Sequence, residues 1–559
     1  MKLRVRIIVP TALVSLLALS AVPAAGSDSE RGDMQLSKIN HIVVIYEENH
    51  SFDNLYGGWE GVNGRANADA AQTLQIKEDG TTYNCLLQND VNLTSPPLSA
   101  TCGDTRGTPA NPAFSSHFAN APFSIEAYIP ASAQTCPQPG GFFPHGSTPN
   151  AANLPGGCTE DVVHRFYQEQ FQLNNGMQNR YTTGSDAIGL TQGFYDTTAL
   201  PIYKYLHQDD HPKYAIADNF FQGAFGGSFL NHQWLIAAAT PTWPGAPVAN
   251  HSIIDSNGFP NASYPLYTPT GAVLDRQLTQ VCPSAVPNRA CGDFAVNTTQ
   301  PAFQPFKGGP QLPPQTGTTI GDELTAAGVS WAWYSGGWSN ADGDVGAPGW
   351  TNGTGPTCAD PDSSPNPAFP FCPNKVFQFH HQPFNYFANY APGTPGRSHL
   401  QDEKAFIGLA KSSGEACNLN AVSFIKPIGL ENEHPGYTSE SRGSDHLVDL
   451  LKSIEGSACR KDTMVVVTYD EFGGQWDHVA PPGQGTAVGP HDQWGPGTRV
   501  PALILAPRLP GNFVVDSAQH DTTSILATIE HRFGLAPLGT RDAVVNDLSS
   551  VFRAKQVGD

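Results

Sequence analysis

The sequence predicts an α/β fold with a central, mainly parallel sheet flanked by helices, and three observations carry that expectation. Short apolar runs recur at Ile42 to Ile45, Trp331 to Tyr334, Ala421 to Ile425, Met464 to Thr468 and Ala502 to Ala506. Unbroken runs of this length suit strands buried on both faces. Apolar residues also recur at helical spacing, at Leu447, Leu450, Leu451 and Ile454, and at Ile525, Leu526, Ile529 and Phe533 before Gly534; the alternation of the two patterns is that of a sheet with helical crossovers. Finally, polar clusters follow three of the runs: Glu47-Glu48-Asn49, Asp470-Glu471, and ENEHPGY at 431–437. Ligands bind beyond the carboxyl ends of parallel strands, which is where these clusters fall.

In chain order, residues 1–25 have a basic start, an apolar stretch from about Ile7 to Val22 and small residues at Ala24 and Ala25, the pattern of a secretory signal peptide. Residues 38–559 read as a single catalytic domain, with loop insertions at about 72–159 and 241–318 where periodicity is weak and Pro, Gly, Asn and Ser abound. The 56 glycines and 48 prolines are spread along the chain, which points to many ordered loops rather than to disorder. Ten cysteines fall by spacing into local pairs, 85/102, 136/158, 282/291, 358/372 and 417/459. In an exported chain such a set implies structural disulfides. A formal net charge of −20 argues against nucleic acid and anionic bilayers as partners. An anionic substrate then requires a local device that overcomes the global field, and a metal ion is one.

AFGGSFLNHQWLIAAATP, 224–241, reads as a glycine-rich turn leading into a helix that stops near Thr240-Pro241. Ser228 falls at its N-terminus, where free backbone N–H groups and the dipole favour an oxyanion or phosphate. Two roles fit it there, an N-cap or a nucleophile. His164, in VVHRFYQEQF, lies on an expected amphipathic helix, and His232 and His531 are expected as structural helix residues. WAWYSGGW, 331–338, suits core packing or a substrate entrance, and Arg499 suits either phosphate contact or a loop brace.

In combination, ENHSFD (48–53), TYDEFGGQWDHV (468–479), GPGTRVPALILAPR (495–508), HHQPFNYF (380–387) and ENEHPGY are motifs by which the chain resembles the phosphoesterase family of bacterial phospholipases C and acid phosphatases, related in fold to alkaline phosphatase. The resemblance runs over about residues 38 to 536. It implies one divalent metal cation, with Glu48, Asn49, Asp470, Glu471 and Ser228 as ligands and Ser228 also as the nucleophile. Hard oxygen ligands of this kind bind a cation that lowers the pKa of a bound hydroxyl and neutralises phosphate charge. By the same resemblance His164, His381, His434 and Asn49 contact the phosphoryl group, with His434 as general acid, and His478 orients Asp470 or Glu471. Glu47 could replace Glu48 and His380 could replace His381. Strand alternation turns Glu47 and Glu48 to opposite faces, and the motif favours Glu48.

The function implied is a secreted or periplasmic, metal-dependent acid phosphatase that acts on a small phosphorylated substrate through a phosphoserine, with no stable membrane insertion once the signal is cleaved. AFGGSFLNHQ looks like the acid phosphatase branch, whereas many of the phospholipases carry Thr in that segment and further C-terminal domains. Phospholipase C is the nearer alternative. From another class, a secreted protein in which calcium on Glu48, Asn49, Asp470 and Glu471 stabilises a binding fold fits the same acids.

Overall fold

Nine strands build one sheet, and the first of them in the chain lies in its interior, beside the central strand. The computed structural model describes residues 26–87, 117–127, 161–185, 188–255, 258, 275–282, 289–366 and 370–557, and the nine strands are those among these residues. The strands are β1 (His41–Glu47), β2 (Tyr214–Ala217), β3 (Trp331–Ser335), β4 (Leu400–Asp402), β5 (Val422–Lys426), β6 (Thr463–Tyr469), β7 (Ala502–Leu505), β8 (Phe513–Asp516) and β9 (Lys555–Gln556). Across the sheet they lie in the order β9-β8-β2-β7-β6-β1-β5-β3-β4. The helices that bear on the site are α1 (Phe52–Leu55), α2 (Phe166–Leu173), α3 (Ser228–Ala237), α4 (Glu403–Ser412), α5 (Glu440–Glu455) and α6 (Thr523–Phe533).

All five apolar runs are strands. Ile42 to Tyr46 have no solvent exposure, as a strand covered on both faces requires. β1 pairs in parallel with β5 and β6, β5 with β3, and β3 with β4, so the mainly parallel sheet is present as expected. β7 runs antiparallel to both β6 and β2. Residues 470–501 connect β6 to β7 without a helix, and a parallel return requires a crossover that this segment does not supply. β2 and β8, four residues each, are too short for a run to mark them.

α5 buries Leu447, Leu450, Leu451 and Ile454 and is capped by the Ser439 hydroxyl, which accepts from the Arg442 amide. α6 ends at Gly534, whose φ of 68° closes the helix in the left-handed region. α3 stops earlier than expected, at Ala237, with Ala238 left-handed. The helix expected around His164 begins only at Phe166, so His164 lies in the extended segment that leads into α2. WAWYSGGW contributes β3 to the core: Trp333 is fully buried and stacks on Phe424.

The disulfides Cys282–Cys291, Cys358–Cys372 and Cys417–Cys459 form as paired by spacing, and Cys85 is also disulfide-bonded. Cys102, Cys136 and Cys158 lie outside the described residues, as do residues 1–25 with the expected signal peptide. The described parts of the two expected insertions carry two-residue strands, isolated bridges and short helical turns.

A buried ionic brace ties the exit of β1 to the turn after β6. Arg499 has no exposure and pairs with Asp53 at 3.2 Å and Asp477 at 3.1 Å, while donating to the carbonyls of Asn63 and Asp218. His478 was expected to orient Asp470 or Glu471. It bonds instead to Asp53 Oδ2, through Nδ1 at 2.5 Å and its backbone N–H at 2.9 Å, because the turn at 476–478 folds back over α1. Arg499 is therefore a brace and touches no member of the acid cluster described below. Removing one partner of a buried ion pair leaves uncompensated charge. Arg499→Met is expected to cost roughly 3–5 kcal/mol in urea denaturation, and a loss under about 1 kcal/mol would refute the brace.

Candidate functional site

The register of β1 against β6 sets Glu47 opposite Tyr469, and the Asp470 amide donates to the Glu47 carbonyl at 3.1 Å. The next residues, Glu48 and Asp470, therefore leave the sheet side by side. Carboxylate oxygens of Glu48, Asp470 and Glu471 lie within 4.8 Å of one another, all fully buried. Glu47 turns away, and burial followed by the charge of Glu433 raises its pKa well above normal. Asn49 has a φ of 61°, a conformation Asn tolerates better than most residues, and its amide donates to Asp470 Oδ1 at 3.3 Å. Gly473 permits this turn, because a Cβ there would lie 2.2 Å from the Asn49 carbonyl oxygen.

Ser228 is the first residue of α3 and Gly227 is the N-cap, so the Ser228 hydroxyl does not serve as a cap. It donates instead to Glu48 Oε2 at 3.0 Å. The turn before it needs glycine: Gly226 has a φ of 91°, and a Cβ there would approach the Phe166 nitrogen to 2.8 Å. Glu169 of α2 anchors that turn, accepting from Gly226 N at 2.5 Å, Thr498 N at 2.7 Å, Thr498 Oγ at 2.9 Å and Gln222 Nε2 at 2.9 Å.

Basic groups surround the acids. Glu48 Oε1 lies 2.6 Å from Lys426 Nζ, an ion pair, and 2.7 Å from His381 Nε2, a contact that is ionic only when the ring is protonated. His434 Nε2 is 3.2 Å from Asn49 Nδ2 and 4.0 Å from Glu48 Oε2, and its Nδ1 donates to the Pro435 carbonyl at 2.6 Å. His164 Nε2 is 3.3 Å from Glu471 Oε1. His380 is half-buried and stands edge-on to His381, so of the two it is His381 that faces Glu48. Burial opposes ionisation of Glu48, but Lys426 and His381 outweigh it and hold its pKa well below normal. Burial and then Glu48 raise Asp470; burial and then Asp470 raise Glu471. Burial lowers His381 to about 4 and also lowers His434.

The phosphoesterase family model matches residues 39–536 of this chain. The chain belongs to the phosphoesterase family. Phospholipase C A of Mycobacterium tuberculosis is 23% identical over 552 residues, covering 92% of this phosphoesterase and 78% of that protein. Phospholipase C B of the same organism is 35% identical over 161 residues, which span 24% of this chain and 29% of the relative. Non-hemolytic phospholipase C of Burkholderia pseudomallei is 30% identical over 42% of this chain and 35% of its own length. A solved structure from Vibrio parahaemolyticus, described as a protein in the alkaline phosphatase superfamily, is a weak match, with 12% identity, a TM-score of 0.26 and coverage of 76% of this chain and 74% of that one.

The donor set of this phosphoesterase fits a divalent cation. Asp470 and Glu471 are grouped with a third carboxylate, Glu48, and Asp470 Oδ2, Glu471 Oε1 and the nearby Asn49 Oδ1 are buried oxygens without a hydrogen-bond partner. Hard, anionic oxygens held out of water are the ligands such an ion takes. A cavity of about 450 Å³ opens beside Gly227, walled by Asp161, His164, Arg165, Asn297 and Thr298.

Two members of the site escaped the sequence reading. Lys426 ends the apolar strand AVSFIK, and its position at a strand exit is the signal that it faces the acids. His232, expected as structural, is one helical turn after Ser228: Nδ1 donates to the Ser228 carbonyl at 2.7 Å and its ring stacks on His381 at 5.1 Å. His531 is exposed on α6, away from the site, and pairs with Asp547.

Burial pushes Glu169 up to about 8, against its four donors, whereas its ordinary value is 4.5. The fold thus holds a proton that the unfolded chain releases, so this contribution to stability is full below about pH 4.5 and fades as pH rises to 8. Glu169→Gln cannot titrate. In thermal denaturation the wild type is expected to lose ground to the variant as pH rises through that window, by up to ~1.4 kcal/mol per pH unit. A stability difference that does not vary with pH would contradict the assignment.

Proposed function

We propose that this phosphoesterase is an exported, metal-dependent acid phosphatase that hydrolyses phosphomonoesters through a phosphoserine at Ser228. The observation that carries the reading is the Ser228 hydroxyl, 3.0 Å from Glu48 Oε2, at the N-terminus of a ten-residue helix and beside a buried group of three carboxylates. Glu48, Asn49, Asp470 and Glu471, with Ser228, would hold one divalent cation, which supplies a lowered pKa for the serine hydroxyl and neutralises phosphate charge. Ser228 Oγ gives its proton toward Glu48 Oε2 and attacks phosphorus in line with the leaving alkoxide. The free N–H groups at the start of α3 face the phosphoryl oxygens. Water then attacks the phosphoserine, losing its proton to the His434 imidazole that protonated the leaving group, and Ser228 Oγ leaves, recovering its proton from Glu48.

His434 serves the leaving group. Its Nδ1 proton is committed to the Pro435 carbonyl, so Nε2 carries the transferable proton, and it gains one only in acid because burial lowers its pKa. His164 and His381 line the phosphoryl pocket, and Lys426 and His232 position Glu48, His381 and Ser228. The charged and polar walls of the cavity beside Gly227 suit a small polar ester. The disulfides Cys282–Cys291, Cys358–Cys372 and Cys417–Cys459 support export. Phospholipase C is the second reading, favoured by the names of the relatives.

Ser228→Ala is expected to abolish hydrolysis of p-nitrophenyl phosphate with the circular dichroism spectrum unchanged, and chelation is expected to do the same reversibly. Activity retained by the variant would sink the nucleophile assignment, and faster turnover of phosphatidylcholine than of the aryl ester would select the second reading. His434→Ala is expected to slow an alkyl phosphate by roughly 10²–10⁴-fold but p-nitrophenyl phosphate far less, since a good leaving group needs little protonation. Equal losses on both esters would remove the general-acid role.

A further inference from the structure

Behind the site, three segments bring Glu403, Glu431 and His446 together. Glu403 is the first residue of α4, Glu431 lies in the loop after β5, and His446 is in α5. One ligand atom from each falls within 4.8 Å of the others. His446 Nε2 is 2.7 Å from Glu403 Oε1 and 3.7 Å from Glu431 Oε2. An ion pair alone leaves this arrangement incomplete. A single Nε2–H donates to one oxygen, and Glu403 Oε1 takes it; Glu431 is beyond hydrogen-bond reach. The other Glu403 oxygen, on a side chain 1% exposed, has no hydrogen-bond partner. A buried carboxylate oxygen left unpaired is costly.

We propose that Glu403, Glu431 and His446 form a second divalent-cation site, separate from the one at Glu48. Two carboxylates balance the charge of such an ion, and the imidazole nitrogen selects a borderline metal of the zinc class over calcium. The Glu431 side chain is 26% exposed and that of His446 13%, so the ion reaches the site from solvent and water completes its coordination. The site clamps a functional loop. Glu431 is followed by Asn432, whose carbonyl accepts from the Glu48 amide at 3.0 Å, and then by Glu433 and His434. A cation there fixes that loop to α4 and α5 without touching substrate.

The test separates the two centres by disabling the first. Asp470→Asn/Glu471→Gln protein, dialysed against Zn²⁺ and then metal-free buffer, is expected to retain one cation per chain by elemental analysis. Its Tm is expected to rise by several degrees when the ion is added. Adding His446→Ala to that background should abolish both effects; should this combination fail to fold, Glu431→Gln replaces it, since that side chain is partly exposed. Wild-type protein should hold two ions and His446→Ala alone one. If the double variant binds no cation while folded, or if neither His446→Ala nor Glu431→Gln lowers the metal content, the proposal is overturned and the cluster is a protonated histidine between two carboxylates. A wild type that holds one ion, lost on His446→Ala, would retain this site and count against the Glu48 centre.

Discussion

The arrangement depends on keeping like charges together where water cannot reach them. Glu48, Asp470 and Glu471 are fully buried at the ends of two paired strands, and Lys426, also fully buried, is the lysine set against them. Burial disfavours every one of these charges, and their mutual repulsion adds to the cost. Glu48 is held ionised by Lys426 and His381, while Asp470 and Glu471 are pushed toward their neutral forms. Such a cluster is stable only when a cation or a set of fixed dipoles offsets it. The register of β1 and β6, the left-handed turn at Asn49 and the glycine at 473 all serve to place these oxygens on one point.

A second class of charged residues only holds. Arg499 with Asp53, Asp477 and His478, and Glu169 with its four donors, have their polar atoms taken up by partners within the protein. The residues grouped around Ser228 differ in keeping buried polar atoms unmatched: Asn49 Oδ1, Asp470 Oδ2, Glu471 Oε1 and His232 Nε2. Other buried polar atoms, on Gln168 and Gln192 among them, also lack a hydrogen-bond partner, so what marks the atoms around Ser228 is their grouping with three buried carboxylates. Grouping of an unmatched oxygen with other ligand atoms also draws attention to Glu403.

Much of this was legible in the sequence because buried parallel strands advertise themselves. Five strands appear as apolar runs, and the polar residues at three of their exits mark the end of the sheet where the site lies. Alternation alone turns Glu48 and Glu47 to opposite sides, as they are. The misses have physical causes. β2 and β8 are four residues long, too short for periodicity to register. β7 is a plain apolar run, and nothing in such a run encodes strand direction; the absence of a helix in residues 470–501 does. His232 lies between Asn231 and Gln233 with nothing in its neighbours to single it out, and only its spacing from Ser228 reveals the shared face. His478 and Arg499 belong to motifs at the site, but a motif records what must be kept and is silent on whether the residue reacts or supports.

The position of β1 in the interior of the sheet has a consequence for how the molecule is made. Its two neighbours, β5 and β6, begin at Val422 and Thr463, so the pairings at the heart of the sheet span about 380 and 420 residues of chain. Contacts so distant in sequence close late and slowly. A growing polypeptide therefore carries its first strand with both edges bare until the last quarter has emerged, and bare edges recruit other chains. The segment around Ile42 to Tyr46 thus stays open to foreign pairing until residues as far along as Tyr469 are available to meet it.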